Sequence, residues 1–254
     1  MRLVLIAVLL AACSGDRAPP GAALPALCQA RVDTTSGERI VDVEADYLPH
    51  VVACENGTAA DEALRAQAVA ARSYLYFTIQ REGRIADSQS DQVYGCRRAP
   101  EPRHYRAVAA TAGEILLHDG APIAGFFVAG APPRADCRGG RGATEPYVTY
   151  NDGRRGDAVR ASRIGGDHPA NRGCLSQRGS HCLAQAGRDY QSILRFYYGA
   201  DVDVVRAAGP CLDPLRAGVG GGFGARERAG LFLAAVCAAG LVTWRLRRHR
   251  RRRR

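Results

Sequence analysis

The sequence predicts a single mixed α+β domain, and three observations carry that expectation. Leu64, Ala68, Ala71, Leu75 and Ile79 recur at helical spacing, and Gly83 closes the run, so residues 61–83 read as one long amphipathic helix. Strand patterns flank it: R39-I-V-D-V-E44 alternates, and residues 114–128 read as a hairpin, two apolar runs around the tight-turn pair Asp119-Gly120. A chain of 254 residues that is 46% hydrophobic supports one ordinary core. No internal repeat is visible.

Taken in order, residues 1–12 read as an export signal. Arg2 is the charged start, Leu3 to Ala12 the apolar stretch, and L10-A-A-C13 a lipobox that would place a lipid on Cys13. Residues 14–37, with their Ala/Pro/Gly run, read as a linker. After the strand at 39–44, residues 47–54 read as a short turn or helix leading to Glu55. That glutamate is expected on a Gly-flanked turn just ahead of the long helix, which Thr58 would cap with Asp61 in an approximate capping box. A rigid helix behind a short turn can hold one carboxylate in place for acid–base work. On local sequence alone, an acid at a helix start is more ordinarily a partner of the helix dipole.

Beyond the hairpin, residues 130–173 are rich in Gly, Arg, Pro and Asp and lack a sustained period, as expected of a long surface loop region beside a substrate groove. Residues 177–184 and 190–198 return to helical runs. Residues 207–229 form a spacer that includes G218-V-G-G-G-F-G224, and residues 230–244 carry no charge. Fifteen helical residues rise about 22 Å, short of a hydrocarbon core of about 30 Å. Snorkelling Arg and Trp244 can offset part of that deficit. Eight Arg then fall within residues 245–254, and the positive-inside rule would put this tail in the cytoplasm and the domain outside. The spacer, apolar stretch and Arg tail also resemble C-terminal sorting tails that bacteria cleave.

The formal net charge of +10 invites a nucleic-acid reading, but residues 3–225 hold 24 Arg against 24 acids, and the chain has no Lys. The excess sits at the ends, so it is a topology signal and no nucleic-acid partner is expected. Of nine Cys, setting aside Cys13 and Cys237 leaves residues 28, 54, 96, 137, 174, 182 and 211. An exported chain of this kind is expected to form disulfides, with Cys174–Cys182 the easiest pair and one Cys left over. His168, Cys174, His181 and Cys182 cluster in sequence, but their spacing fits no standard zinc set. Neither metal nor cofactor is expected.

The helix wording E62-A-L-R-A-Q-A-V-A-A-R-S-Y74 resembles the signature of the SpoIID/LytB family, stage II sporulation protein D and the amidase enhancer LytB. Y47-L-P-H-V-V-A-C-E55 is similar to the family segment that ends in its catalytic acid. D87-S-Q-S-D-Q-V-Y-G95, G113-E-I-L116, P122-I-A-G-F-F127, L175-S-Q-R-G179 and Y190-Q-S-I-L-R-F-Y-Y-G199 follow in collinear order, so the resemblance spans residues 38–206. It implies a SpoIID-like domain with a long helix behind the active-site turn, in a membrane-anchored protein of the bacterial envelope that faces the periplasm or exterior. It further implies a lytic transglycosylase that cuts peptidoglycan glycan strands to 1,6-anhydro ends, with Glu55 as the catalytic acid. Val51, Val52 and the apolar helix face would raise its pKa, and the helix N-terminus would oppose them. Gln92, Tyr94, Ser176 and Gln177 are implied substrate-binding residues; Gln67 and Arg72 are expected as buried structural partners. Some relatives are associated with zinc near the Q-V-Y segment, where this chain offers the poor ligands Ser90 and Asp91. Relatives also read G-H-G-V-G before S-Q where this chain reads A-N-R-G-C, so Asn171 stands in place of their His. The alternative is a non-catalytic peptidoglycan binder that stimulates a cell-wall amidase.

Overall fold

The computed structural model describes residues 24–212, and within them the mixed α+β expectation holds. The signal, Cys13, the Gly-rich spacer, the apolar stretch and the Arg tail lie outside the described residues. Among the described residues, no helix is long and apolar enough to cross a membrane.

Strands β1 (Gln29–Thr34) and β2 (Gly37–Asp42) form an antiparallel hairpin, and β3 (Ile85–Ala86) adds to β1 in parallel. Strand β1 therefore occupies the end of the stretch that reads as linker, because Ala30 and Val32 alternate into the core. Asp42 ends β2 and accepts from the backbone N–H of Glu44 and Ala45, starting a π-helical turn at Val43–Tyr47. That turn runs straight into α1 (Leu48–Asn56).

Helix α2 (Asp61–Glu82) is the axis of the molecule and packs against α1, against α3 (Pro102–Ala110), α4 (Gln177–Gln185) and α5 (Tyr190–Tyr198), and against β4 (Glu114–His118). Its predicted apolar face is buried, and so are Ala66, Val69, Ala70 and Ser73 on the other side. An Ala-rich helix with few long polar chains can be surrounded in this way. Gly125 shows how tightly: a Cβ there would collide with the Ala70 carbonyl oxygen. Gly83 ends the helix as expected, in a left-handed conformation at φ 73°. Thr58, however, is exposed and caps nothing; the N-cap is Ala60, whose N–H donates to His181 Nδ1 at 2.9 Å.

The hairpin expectation holds only for its first arm. Asp119 and Gly120 adopt positive φ (50° and 75°) as the turn requires, and β5 (Ala121–Pro122) pairs with β4. The chain then leaves that sheet, and β6 (Phe126–Val128) pairs in parallel with β7 (Cys174–Ser176). The free edge of β4 is taken by β8 (Asp203–Arg206). Residues 130–173 are irregular apart from 3-10 turns at Glu145–Tyr147 and Gly156–Ala158, as their composition predicts.

Among the described residues three disulfides staple the domain: Cys28–Cys211, Cys54–Cys96 and Cys137–Cys182. The expected Cys174–Cys182 bridge is absent, and Cys174 is a buried free thiol. Cys174 lies on a strand inside a small apolar cluster, whereas Cys182 sits on the helix that follows, where the 134–138 loop reaches it. Proximity in sequence is the wrong guide, because a strand-to-helix junction separates the two side chains.

Candidate functional site

Glu55 occupies the last turn of α1 and not a free turn ahead of α2. Asn56 and Gly57 follow it, and α3 clamps that exit. His104 is fully buried; its Nδ1 accepts from the Glu101 N–H, so its Nε2 donates to the Gly57 carbonyl at 2.9 Å. Arg103 reaches the Ala59 carbonyl and Asp61. Pro102 near the start of α3 is favourable because that N–H has no intrahelical partner. The carboxyl is thus fixed by helix α1 before it and by a pinned turn after it.

Two donors meet this carboxyl. The backbone N–H of Val93 donates to Oε1 at 2.8 Å, and Gln177 Nε2 donates to Oε2 at 3.1 Å. Burial pushes the Glu55 pKa up from the ordinary carboxylate value, and the bonds from Val93 and Gln177 pull against it. Val51 and Val52 are buried beneath the site, as expected. The helix-dipole expectation is reversed: Glu55 sits at the C-terminal end of α1, where partial negative charge disfavours the anion. Geometry therefore favours a carboxyl that stays protonated further up the pH scale, yet has two donors ready when it ionises.

The loop that supplies Val93 is tied down by Gln92. The Gln92 side chain is fully buried, donating to the Ala71 carbonyl at 3.1 Å and accepting from Tyr47 Oη at 2.8 Å. Tyr94 is also buried; its ring stacks on Tyr47 at 5.5 Å, and its hydroxyl donates to Asp46. Asp87 accepts from the N–H groups of Tyr94 and Gly95. Gln92 and Tyr94 are therefore buried and hold the loop whose Val93 N–H meets the carboxyl. Ser176 is likewise buried and caps α4 by accepting from Gly179 N–H at 3.0 Å. Of the four implied substrate contacts, only Gln177 has its side chain on Glu55.

Arg72 is buried and structural, as expected: it grips Glu44 through two bonds of 2.7 Å and donates to the Glu114 carbonyl. Gln67 is equally buried, but neither end of its amide has a hydrogen-bond partner among the described residues. Asn171 turns into its own loop, donating to the Ser162 and Gly166 carbonyls and accepting from Ser162 N–H. Among the described residues no three His, Cys, Asp or Glu side chains converge as a metal site. His181 is occupied by Ala60, Cys182 by Cys137, and His168 packs edge-on against Phe77.

A cavity of about 490 Å³ is walled by segments adjoining the two donors, although Glu55, Val93 and Gln177 do not themselves line it. Asp91 on one wall precedes Val93 by two residues, and Val128 on the other pairs with Ser176, next to Gln177. Tyr74, Phe127 and the exposed Tyr147 supply rings, and Arg163 a cation. Asp91 is committed to Tyr74 Oη and the Ala86 N–H. The loop residues of this groove carry no sequence period, so only their composition hints at it.

These features define a protein with one desolvated, donor-gripped carboxyl on α1, packed against the buried central helix α2, and an aromatic-lined groove walled by segments adjoining its donors. Residues 33–118 match the family model SpoIID, Stage II sporulation protein, the family that the motifs of this region resemble. Glu55, Gln67, Arg72, Gln92 and Tyr94 fall inside the match; Ser176 and Gln177 lie beyond it. No curated protein matches the chain. The family points to a cell-wall-related function.

Proposed function

We propose that this protein is a peptidoglycan lytic transglycosylase with Glu55 as its sole acid and base. Protonated, the carboxyl donates to the glycosidic oxygen as the bond from C1 of the muramic sugar breaks. Ionised, it takes the proton from that sugar's C6 hydroxyl as the oxygen closes on C1. The products are a 1,6-anhydro end and a new hydroxyl end, no water is consumed, and the carboxyl returns to its starting state. Hydrolytic glycosidases use a second carboxylate as nucleophile or water activator; this reaction does not need one.

The observation that supports the reading is the Glu55 environment. Burial raises its pKa, which suits the acid step, while Val93 N–H and Gln177 Nε2 stand ready to steady the carboxylate for the base step. The groove supports it further, since exposed rings such as Tyr147 suit sugar faces. The domain would act outside the cytoplasm, held to the membrane by a lipid on Cys13, by residues 230–244, or by both. A second reading, a non-catalytic peptidoglycan binder that stimulates an amidase, is favoured by one feature. Where relatives carry a His, Asn171 spends its amide on its own loop and has no acid–base chemistry to offer. Incubation of purified protein with peptidoglycan separates the two: release of anhydro-ended fragments supports the enzyme, and amidase stimulation without release supports the binder.

A further inference from the structure

We propose a second ligand site, distinct from Glu55 and from the aromatic-lined groove, that takes a carboxylate carried on a compact body. A cavity of about 350 Å³ lies at the far end of α2, between Phe77, Arg81, the β4–β5 turn and the 168–170 segment. The partition between this cavity and the groove is the cluster of Phe77, Ala124, Phe126 and Cys174, with Tyr74 against it. Phe77 faces this cavity, Phe126 and Tyr74 the groove, and the Phe77 and Phe126 rings meet edge-on at 6.0 Å. The two spaces are therefore neighbours across one aromatic wall.

The chemistry of the lining selects the ligand. Phe77, Pro122, Ile123 and Pro169 give it apolar surface. The polar groups left over are donors. Gln80 Nε2 is buried with no partner among the described residues. Arg81 lies over the Phe77 ring at 4.8 Å and has no ion pair among the described residues. The α2 C-terminus favours a cation at that position, but that attraction leaves its N–H fork uncommitted. His168 Nδ1 accepts from Ala170 N–H at 3.1 Å, which leaves Nε2 as a third donor. His118, also in the lining, is already engaged with Asp201 at 3.3 Å. Among the described residues no Asp or Glu lines the cavity. Two uncommitted donors, one of them cationic, around a small apolar hollow, with the unpaired Gln80 amide N–H buried in its wall, fit a carboxylate.

This identification of the ligand rests on the wall-acting reading above, because peptidoglycan offers that chemistry from two sources. One is the lactyl carboxyl of a muramic sugar stripped of its stem peptide, and the other the C-terminal carboxyl of a stem peptide. The test is a ligand-observed NMR titration of the full chain in detergent with N-acetylmuramic acid, N-acetyl-D-alanine, and the uncharged control N-acetylglucosamine. Saturable binding of either carboxylate, with the control bound at least about tenfold more weakly, is expected; the tighter of the two names the source. Arg81→Gln should weaken that binding about 10- to 100-fold, the worth of a charged hydrogen bond. Gln80→Leu, which removes a donor without changing charge, should weaken it as well, so the conclusion does not hang on how one variant folds. Absence of binding, equal binding of the control, or full affinity in both variants would overturn the site. Glu55→Gln should retain carboxylate binding. Binding by a wild-type protein that releases no anhydro ends would contradict the proposed reaction and leave this site standing.

Discussion

At the residue scale, Glu55 links stability to chemistry. Its folded-state pKa is raised by burial, so its anion is penalised by folding. Below the unfolded carboxylate value both states are protonated and the penalty vanishes; it grows as pH climbs to the folded value and is constant above it. Glu55→Gln should therefore melt higher than wild type at about pH 8 and level with it at about pH 3. Equal melting at both pH values would deny that the carboxyl is desolvated. Gln177 gives a second test. Its bond favours the ionised form, so Gln177→Leu should push the Glu55 pKa further up. The acid step fails as Glu55 ionises, and the alkaline limb of the pH–rate profile should move to higher pH. A downward move, or a lower rate with an unmoved limb, would make Gln177 a substrate contact only. Glu55 and Gln177 are readable as candidates from the motifs carrying them. The Val93 N–H is not, because a backbone donor leaves no mark on side-chain identity.

At the scale of elements, α2 is legible from its period, and so are α4 and α5, whose apolar positions face one side. Their caps show the limit. Thr58 fits a capping pattern, but the turn from Gly57 to Ala60 is set by His104, Arg103 and His181 from distant segments. The β6–β7 pair is hidden for a related reason. Each strand is three residues long, and Phe126 pairs with Cys174 across a loop region of no period. Register of that kind is decided by tertiary packing. The Arg72–Glu44 pair joins α2 to the turn before α1. Glu44 is 36% exposed at its side chain, so Arg72→Met should cost about 2–3 kcal/mol, below the cost of breaking a fully buried pair. Denaturant unfolding checks this, and a loss below about 0.5 kcal/mol would mean the pair is fully screened by solvent.

At the scale of the whole molecule, the disulfides define the domain. Cys28–Cys211 spans a separation of 183 residues and joins the chain just before β1 to the segment just after β8. Closing a loop of that length contributes up to about 5 kcal/mol in the chain-entropy account. Non-reducing peptide mapping should recover the three bridges with Cys174 as a free thiol, and a Cys174–Cys182 peptide would contradict the fold around α4. Composition identifies the need for bridges, but pairing is a property of the folded surface and does not follow from spacing. The charge balance is legible at this scale too: residues 3–225 have no surplus of Arg, so the formal charge of +10 is no argument for a nucleic-acid partner.

Glu55 alone should close the C6 oxygen onto C1 without water, and every other part of the proposed reaction depends on that step. Mass analysis of soluble fragments released from purified peptidoglycan tests it most directly. Wild-type protein should release muropeptides or glycan fragments one water lighter than hydrolysed ends, and Glu55→Gln should lower that release about 10²–10⁴-fold. Fragments carrying ordinary reducing ends, or unchanged anhydro release by the Glu55→Gln variant, would contradict it.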